Sequence, residues 1–557
     1  MKHLITSALP YINGIKHLGN LVGSMLPADV YARFLRQCGE QVLFICATDE
    51  HGTPAELAAS EAKLDTASFC QNMYQIQLDI YRSFGLSFDY FGRNSSNYNH
   101  ELTQNFYQLL DKNGYIEERE INLVYSLDDA RFLPDRYVIG TCPHCGYQSA
   151  RGDQCENCTS VLDPTDLIEP RSAISGSTKL EVRKTRHLFL KLSALSDEVR
   201  NWAEQHPNWS NLTKSIALGW LNKGLQDRCI TRDLSWGVPV PRPGFEDKVF
   251  YVWFDAPIGY IAATQAWGVE NSQDWETWWQ DTENTKYVQF MAKDNLPFHT
   301  IMFPAMILGT RENWKLADEI KGFNWLNYYG GKFSTSSKRG IFLDQALEIL
   351  PADYWRYSLL SMIPESADST FTWELFQVKV NKELADTFGN FVNRILKFAA
   401  THFDSTVPEG GIAGQREQEL ENSCTRLVSK YCDCLSNLEF RKSIDTLYFL
   451  WILGNQYIDE KAPWKLIKTN RDEAAQVIRT CINLIRIYAI VQAPILPFTS
   501  AKLFDALYLS HIDRTTKISG SVNFKALQPG HKFDLIPPLF RKLEDEEIKA
   551  LSIKFGS

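Results

Sequence analysis

Residues 4–20, LITSALPYINGIKHLGN, constrain this chain more than any other stretch. The apolar run over residues 4–9 predicts a buried strand, Pro10 to Gly14 a turn, and His17-Leu18-Gly19-Asn20 the opening of a helix. Leu21, Val22, Met25, Leu26, Val30, Tyr31, Phe34 and Leu35 then recur at helical spacing, and Gly39 can end the helix. A strand, a glycine-bearing turn and a helix N-terminus leave free backbone N–H groups at the positive end of the helix dipole, which favours a phosphate. Gly19 lets a ligand approach the backbone closely, and His17 offers a donor to a phosphate oxygen. A second buried strand, residues 41–47, runs into Thr48-Asp49-Glu50-His51-Gly52. Polar residues after such a strand lie where an open α/β sheet holds its ligands. Asp49 suits a ligand ammonium, and it equally suits a helix N-cap. By itself the opening pattern is more often an ordinary βα turn.

A chain of 557 residues holds about three or four domains. The apolar stretches around residues 447–453 and 490–498 are broken by Gly454, Pro494 and Pro497, short of the roughly 18 residues of a membrane span. Residues 1–3 precede too short an apolar run for a signal peptide. A cytoplasmic protein with no membrane partner is expected. The net charge of −9 argues against nonspecific nucleic-acid binding, so any RNA contact needs local basic patches. Candidates are residues 179–191, with Arg183, Lys184 and Arg186, and residues 332–339.

Cys142-Pro-His-Cys145 is followed, nine residues on, by Cys155-Glu-Asn-Cys158. Four thiolates at this spacing match tetrahedral zinc, with an iron–sulfur centre the alternative. All four come from one short insertion with no open position, so the metal is expected to be structural. His144 is expected to be a surface residue. The other eight cysteines are scattered among apolar segments, as free thiols of a reducing compartment are.

Far downstream, Gly331-Lys332-Phe333-Ser334-Thr335-Ser336-Ser337-Lys338-Arg339-Gly340 forms a hydroxyl-rich basic loop with a glycine at each end. Its cations and hydroxyls suit a polyphosphate. HLGN and KFSTS together resemble the HIGH and KMSKS signatures of class I aminoacyl-tRNA synthetases. Asn20 stands where the common form has its final His, and Thr335 where it has its inner Lys. The segments around Asp49 (ATDEHGTP) and Trp253 (FYVWFDAPIGY) resemble those of the methionyl-tRNA synthetases. The resemblance runs in order from Leu4 to about Phe498.

That family implies an α/β fold: a Rossmann-type parallel-sheet catalytic domain (residues 1–114 and 228–320) split by a zinc-bearing insertion (115–227). A linking fold with the KFSTS loop (321–378) and an α-helical anticodon-binding bundle (379–557) follow. The implied reaction joins methionine to ATP as methionyl-adenylate, releases pyrophosphate, and passes the methionyl group to the terminal ribose of tRNA(Met). By resemblance, His17, Asn20 and Lys332 serve catalysis; Lys338, within reach in a loop whose inner Lys position holds Thr335, is expected to supply charge together with Lys332. Gly19, Asp294, Lys332, Ser334 and Thr335 hold ATP, accompanied by Mg²⁺. Leu9, Tyr11, Asp49, Trp253, Ala256, Pro257, Tyr260 and His299 hold methionine, and Asn390, Arg394 and Trp464 read the anticodon. Zinc sits on Cys142, Cys145, Cys155 and Cys158. From the residues alone, Val249 to Phe254 reads as a strand, Asp294 equally as an N-cap, and the chain after Gly340 as helical throughout. Synthetases for Leu, Ile and Val resemble larger chains with a big editing insertion, and a cysteine synthetase needs an open zinc in its core. A catalytically dead RNA-binding paralogue is the alternative from another class. With no room after the bundle for a further OB-like domain, a monomer is expected.

Overall fold

The computed structural model describes residues 1–152, 155, 157–158, 160, 162–335 and 338–556. Ser336 and Ser337 of the downstream loop therefore lie outside the described residues. The centre of the fold is a five-stranded sheet of β1 (Lys2–Ser7), β2 (Gln41–Thr48), β3 (Tyr90–Arg93), β4 (Thr285–Ala292) and β5 (Glu319–Phe323). Its order is β5-β4-β1-β2-β3, and every pair is parallel. The strand direction of travel reverses beside β1, which opens a crevice at the carboxyl ends of β1 and β4. Alternate side chains feed two cores. Ile5, Phe44, Cys46, Val288 and Phe290 join one cluster, and Leu4, Leu43, Ile45, Tyr287 and Met291 the other. Burial on both faces explains why these strands read as unbroken apolar runs.

The first strand, Lys2–Ser7, begins and ends two residues before the apolar run over residues 4–9. The ladder ends at Ser7; Pro10 has no N–H to continue it, and Tyr11 bridges to Asp49 instead. The helical rod that follows spans Leu18 to Gln37, with a π-helical stretch at Leu21–Met25. β3 interrupts what reads as continuous helix before Gly114. It is four residues long and half of it is Gly92 and Arg93, so it carries no apolar run. A Cβ on Gly92 would stand 2.9 Å from Ala263, so the helix Gly259–Asn271 presses directly on this edge strand.

Between β3 and β4 the chain builds an antiparallel ladder of Ile116–Ser126 with Leu180–Leu190. Beyond it, Val138–Thr141 pairs with Ala150–Arg151 and Ile168–Ser172 to carry the cysteine quartet. The expected basic patch of residues 179–191 is not free. Lys179 pairs with Asp128 (3.2 Å), Lys184 with Glu120 (2.7 Å), Arg186 with Glu118 (2.9 Å), and Arg183 with Glu181. Cross-strand neighbours of opposite sign cancel the charge that the one-strand reading leaves exposed. The expected strand from Val249 to Phe254 is also corrected. Val249–Phe250 pairs with Thr231–Arg232, a partner only two residues long, and the chain then turns into the helix Val252–Asp255.

After Gly340 the chain is not helical throughout. Ser369–Phe371 lies parallel to Leu326–Tyr328, which also pairs with Gly331–Lys332. A continuous rod from Trp373 to Phe403, π-helical over Lys379–Gly389, leads into the bundle and runs through the boundary expected at 378/379. Three more long helices follow: Gln415–Ser436, Phe440–Lys461 and Arg471–Val491. Among the described residues the last is long and apolar enough to cross a membrane, which corrects the expectation that no segment is. Yet 94% of its most apolar window is buried inside the bundle. It is buried on nearly every side because it is the bundle's central helix.

Arg356, 0% exposed, joins the layers. It donates to Asp29 (2.7 Å) on the first long helix, to the Phe84 carbonyl (3.1 Å), and to the carbonyls of Pro494 (2.9 Å) and Ile495 (2.9 Å) at the end of the bundle's central helix.

Candidate active site and metal centre

The HLGN turn stands just beyond the carboxyl end of β1. His17 Nδ1 accepts the Asn20 N–H (3.2 Å), and Asn20 Oδ1 accepts the His17 N–H (3.2 Å), a reciprocal cap of the helix. Burial, helped by neighbouring Lys16, drives the imidazole pKa down to about 3. The ring is therefore neutral, and since Nδ1 accepts, Nε2 carries the proton as an N–H donor. Asn20 itself is exposed.

The KFSTS loop folds over this turn. The Phe333 ring stacks on His17 at 5.0 Å, and Gly340, at φ +100°, lies beneath Phe333. A Cβ on Gly19 would stand 3.1 Å from His17 Nδ1 and 3.3 Å from Phe333, so glycine is what lets the two motifs close together. Leu18 N–H donates to the Ile341 carbonyl (3.1 Å), and Thr335 lies against Gly14 of the first turn. Ser334 and Arg339 exchange backbone bonds of 3.1 and 2.9 Å, which makes the loop a tight hairpin. Arg339 is spent on the Tyr328 carbonyl (3.0 Å). Lys338 stands exposed near the tip in a left-handed conformation, φ +50°. Trp325 gathers the rest. Its indole N–H donates to Asp294 (3.2 Å), and the ammonium groups of Lys332 and Lys293 lie 4.4 and 4.2 Å from its ring. The next helix begins at Leu296, and the side chain of Asp294 is engaged with the Trp325 indole rather than with a helix N–H.

Beside these motifs lies a second, more enclosed cluster. Asp49, 5% exposed, sits between Pro10 and Ile12, whose backbones it bonds at 2.9 and 2.8 Å. Asn94 donates to its carboxylate (3.2 Å). Burial, and then the nearby Asp255 carboxyl, raise the Asp49 pKa well above the usual carboxylate range. A cationic ligand would relieve both effects. Trp253 donates to the Tyr11 hydroxyl (3.4 Å) and packs on Phe298 at 4.2 Å, while Leu9 reaches Gly259. Ala256 and Pro257 form the turn that delivers Tyr260. His299 Nδ1 faces the Asn295 carbonyl (3.0 Å), which can only accept, so Nε2 is the acceptor for the buried Tyr260 hydroxyl (2.9 Å). Burial pushes the His299 pKa down to about 4, consistent with that neutral tautomer. Sequence reasoning missed three members of this cluster. Asn94 also bonds Asp255 (3.2 Å), and His51 bonds Asp255 (2.7 Å), a buried layer behind Asp49. Asp255 and His51 stand inside the quoted motifs, whereas Asn94 follows the β3 strand that has no pattern.

In the bundle, the Arg394 guanidinium lies 4.9 Å from the Trp464 ring and bonds Asp459 (3.2 Å). Both line an open cleft of about 340 Å³ with Asn393, Lys397 and His402. Trp464 is 37% exposed, at the start of the helix Pro463–Thr469. Asn390 is exposed on the same rod one turn earlier but does not line the cleft.

The sulfurs of Cys142, Cys145, Cys155 and Cys158 all lie within 4.8 Å of one another. Cys142 and Cys158 are 3.8 Å apart, and Cys145 and Cys155 3.6 Å. A tetrahedral zinc with sulfurs at about 2.3 Å requires edges of about 3.8 Å, so the quartet fits a closed zinc site. His144 is exposed and is not in the quartet.

Residues 3–396 match the family described as tRNA synthetases class I (M), and residues 407–557 match the anticodon binding domain of methionyl tRNA ligase. The chain is 66% identical to methionine–tRNA ligase 1 of Acaryochloris marina over 556 residues, covering 100% of both chains. It is 56% identical to methionine–tRNA ligase of Streptomyces avermitilis, covering 100% of this chain and 99% of that one. Its fold is similar to Mycobacterium tuberculosis methionyl-tRNA synthetase in complex with methionyl-adenylate, with a TM-score of 0.79 at 23% identity over 97% of this chain and 99% of that one. With the family matched across most of its length and relatives matched end to end, the chain belongs to the methionyl branch of the class I tRNA synthetases.

Proposed function

We propose that this methionine–tRNA ligase binds its amino acid in the cluster of Leu9, Tyr11, Asp49, Trp253, Ala256, Pro257, Tyr260 and His299. Asp49 takes the ammonium, and the aromatic walls and Leu9 take the thioether, a contact worth about 0.3–1.5 kcal/mol per ring. The neutral His299–Tyr260 pair presents no charge to an apolar side chain. ATP lies between the HLGN turn and the KFSTS hairpin: Gly19 and His17 at the phosphates, Asp294 at the ribose, Lys332, Ser334 and Thr335 over the polyphosphate. Asn20 and Lys338 assist the same step, and Mg²⁺ accompanies ATP. Catalysis is positioning and charge stabilisation, without a covalent enzyme intermediate. The observation that carries this reading is the 5.0 Å stack of Phe333 on His17, which holds the two nucleotide motifs together beside the Asp49 cluster.

Arg394 and Trp464, with Asn390 one turn away, are proposed to read the anticodon of tRNA(Met), Trp464 by stacking an unpaired base. Zinc on the four cysteines holds the insertion together and supplies folding energy. The domain division 1–114 with 228–320, 115–227, 321–378 and 379–557 belongs to the same proposal. None of the twelve cysteines is paired in a disulfide, which supports a reducing, cytoplasmic compartment. A monomer is proposed as well; sedimentation of a dimer at micromolar concentration would refute it. Pyrophosphate exchange tests the whole reading: it should depend on methionine and not on leucine, isoleucine or cysteine. Exchange with any of the other three at a comparable rate would overturn it.

A further inference from the structure

Among the described residues three lysines are buried: Lys16 at 5% exposure, Lys248 at 6% and Lys315 at 7%. Two of them are paid-up ion pairs. Lys248 bonds Asp233 and Thr185, and Lys315 bonds Asp318 (2.9 Å) and the Thr282 carbonyl (2.9 Å). Among the described residues Lys16 has no carboxylate in contact, and its hydrogen-bond partner is Asn13 Oδ1 (2.9 Å), which leaves two of three ammonium protons for a further acceptor. A buried ammonium in that state is costly unless an anion completes it.

The anion's place follows from the neighbours. Lys16 stands in the turn between the Asp49 cluster and the His17 cap, and its charge is felt by both groups. Of the other cations near the crevice, Lys293 pairs with Asp368 (2.6 Å), Arg93 with Glu50 (2.8 Å), Arg339 with the Tyr328 carbonyl (3.0 Å) and Lys332 lies on Trp325, while Lys338 stands exposed on the hairpin. The turn is also held rigid. Gln77 donates to the carbonyls of Gly14 (2.9 Å) and Tyr11 (3.1 Å), and Leu343 N–H donates to the Lys16 carbonyl (2.9 Å). A cation fixed in this way costs little reorganisation when charge develops beside it.

We propose that Lys16 is a catalytic residue of methionine activation, its ammonium bonding the oxygens where the methionine carboxylate meets the ATP α-phosphate. The inference rests on the ligase reading above. In the step, a carboxylate oxygen forms a bond to the α-phosphorus while the bond from that phosphorus to pyrophosphate breaks. The pyrophosphate leaves with the electron pair, and Lys16 keeps its proton throughout. The charged group acting on its ammonium is Asp49 from the end of β2; Lys16 in turn acts on His17 in its own turn, and Asp255 and Glu50 act on Asp49. Burial lowers the Lys16 pKa to about 7, against which Asp49 raises it. Activation in the free enzyme then needs a proton that is lost as pH rises through about 7.

Single-turnover adenylate formation tests this with Lys16→Met and Lys16→Arg. Lys16→Met should slow activation by about 10²–10³-fold. Its far-UV circular dichroism and zinc content should match wild type, which certifies the fold. Wild type should show kcat/KM for activation falling above about pH 7, and Lys16→Arg, which cannot lose its charge, should abolish that fall. The proposal is overturned if Lys16→Met activates within about threefold of wild type, or if the alkaline fall persists in Lys16→Arg. Should Lys16→Met not fold, the Lys16→Arg profile decides alone. Absence of methionine-dependent exchange in wild type would instead overturn the ligase reading.

Discussion

Arg356→Met should detach the bundle from the catalytic layer before it damages the catalytic site. The wild-type guanidinium makes four hydrogen bonds, to Asp29 and to the carbonyls of Phe84, Pro494 and Ile495. The substitution strands three buried carbonyls and removes one of the two arginines that neutralise Asp29, leaving Arg33 at 2.9 Å. Against this stands the relief of no longer burying a guanidinium, so the net cost is that of breaking a buried pair, about 3–5 kcal/mol. Arg356→Lys should cost less, because one ammonium still reaches some of the four acceptors. Urea unfolding followed by tryptophan fluorescence measures the loss. Functionally, tRNA charging should fall further than methionine-dependent exchange, since the cleft of Arg394 and Trp464 is carried by the detached layer. Acid sensitivity provides an independent sign. Burial pushes the Asp29 carboxyl up, and Arg33, Arg356 and Ser87 outweigh it to hold the pKa below the usual value. That stabilisation is present above the unfolded pKa, about 3.9, and is lost as pH falls through the depressed folded value. Arg356→Met should therefore lose less stability on acidification than wild type. A stability loss under about 1 kcal/mol at neutral pH, with charging and exchange unchanged in ratio, would refute the reasoning.

Other consequences follow from the same geometry. Cys155→Ser should lose zinc and expose the insertion to protease while keeping some adenylate formation, because metal binding there is folding energy; unchanged zinc by atomic absorption would contradict this. Trp464→Ala should spare exchange and lower charging efficiency roughly 5- to 150-fold, from about 1–3 kcal/mol of lost stacking; an equal fall in exchange would contradict it. Lys338→Ala should slow single-turnover activation by about 10²–10³, and Thr335→Ala much less, if the exposed hairpin lysine reaches the departing pyrophosphate. Near-wild-type activation in Lys338→Ala would return that charge to Lys332 or the metal.

The parts of the fold legible in the sequence were those that bury both faces of a strand or one face of a helix. β1, β2 and β4 announce themselves as apolar runs, and Leu18 to Gln37 by its spacing. β3 does not, because an edge strand of Tyr-Phe-Gly-Arg has nothing periodic to show. The cysteine quartet is legible because metal geometry dictates spacing within one short segment. The Asp49 cluster draws on β1, β2, the turn before Tyr260 and the helix after β4, so spacing alone cannot assemble it; only motif resemblance did. Charged residues deceive in both directions. The run at residues 179–191 reads as a patch and is cancelled by the facing strand. Lys16 and Arg356 carry no sequence pattern that marks them as buried, and both are. Arg471–Val491 is not among the apolar stretches that stand out in the sequence, and whether lipid or neighbouring helices surround such a helix depends on partners elsewhere in the chain.

The strand order also governs how the chain comes off the ribosome. β1 is flanked by β2, made early, and by β4, which starts at Thr285, 192 residues after β3 ends at Arg93. At about 5–20 residues per second, the inner edge of β1 waits roughly 10–40 s for its second neighbour. During that interval a half-sheet presents bare N–H and C=O groups at what will become the centre of the protein, an invitation to pair with another nascent copy. The segment made meanwhile, with its long antiparallel ladder and metal knuckle, pairs its own strands and so adds no competing partner for that edge. On a crowded polysome, slowing translation over residues 94–284 would lengthen this vulnerable period, and chaperone demand should peak there rather than at the synthesis of the bundle.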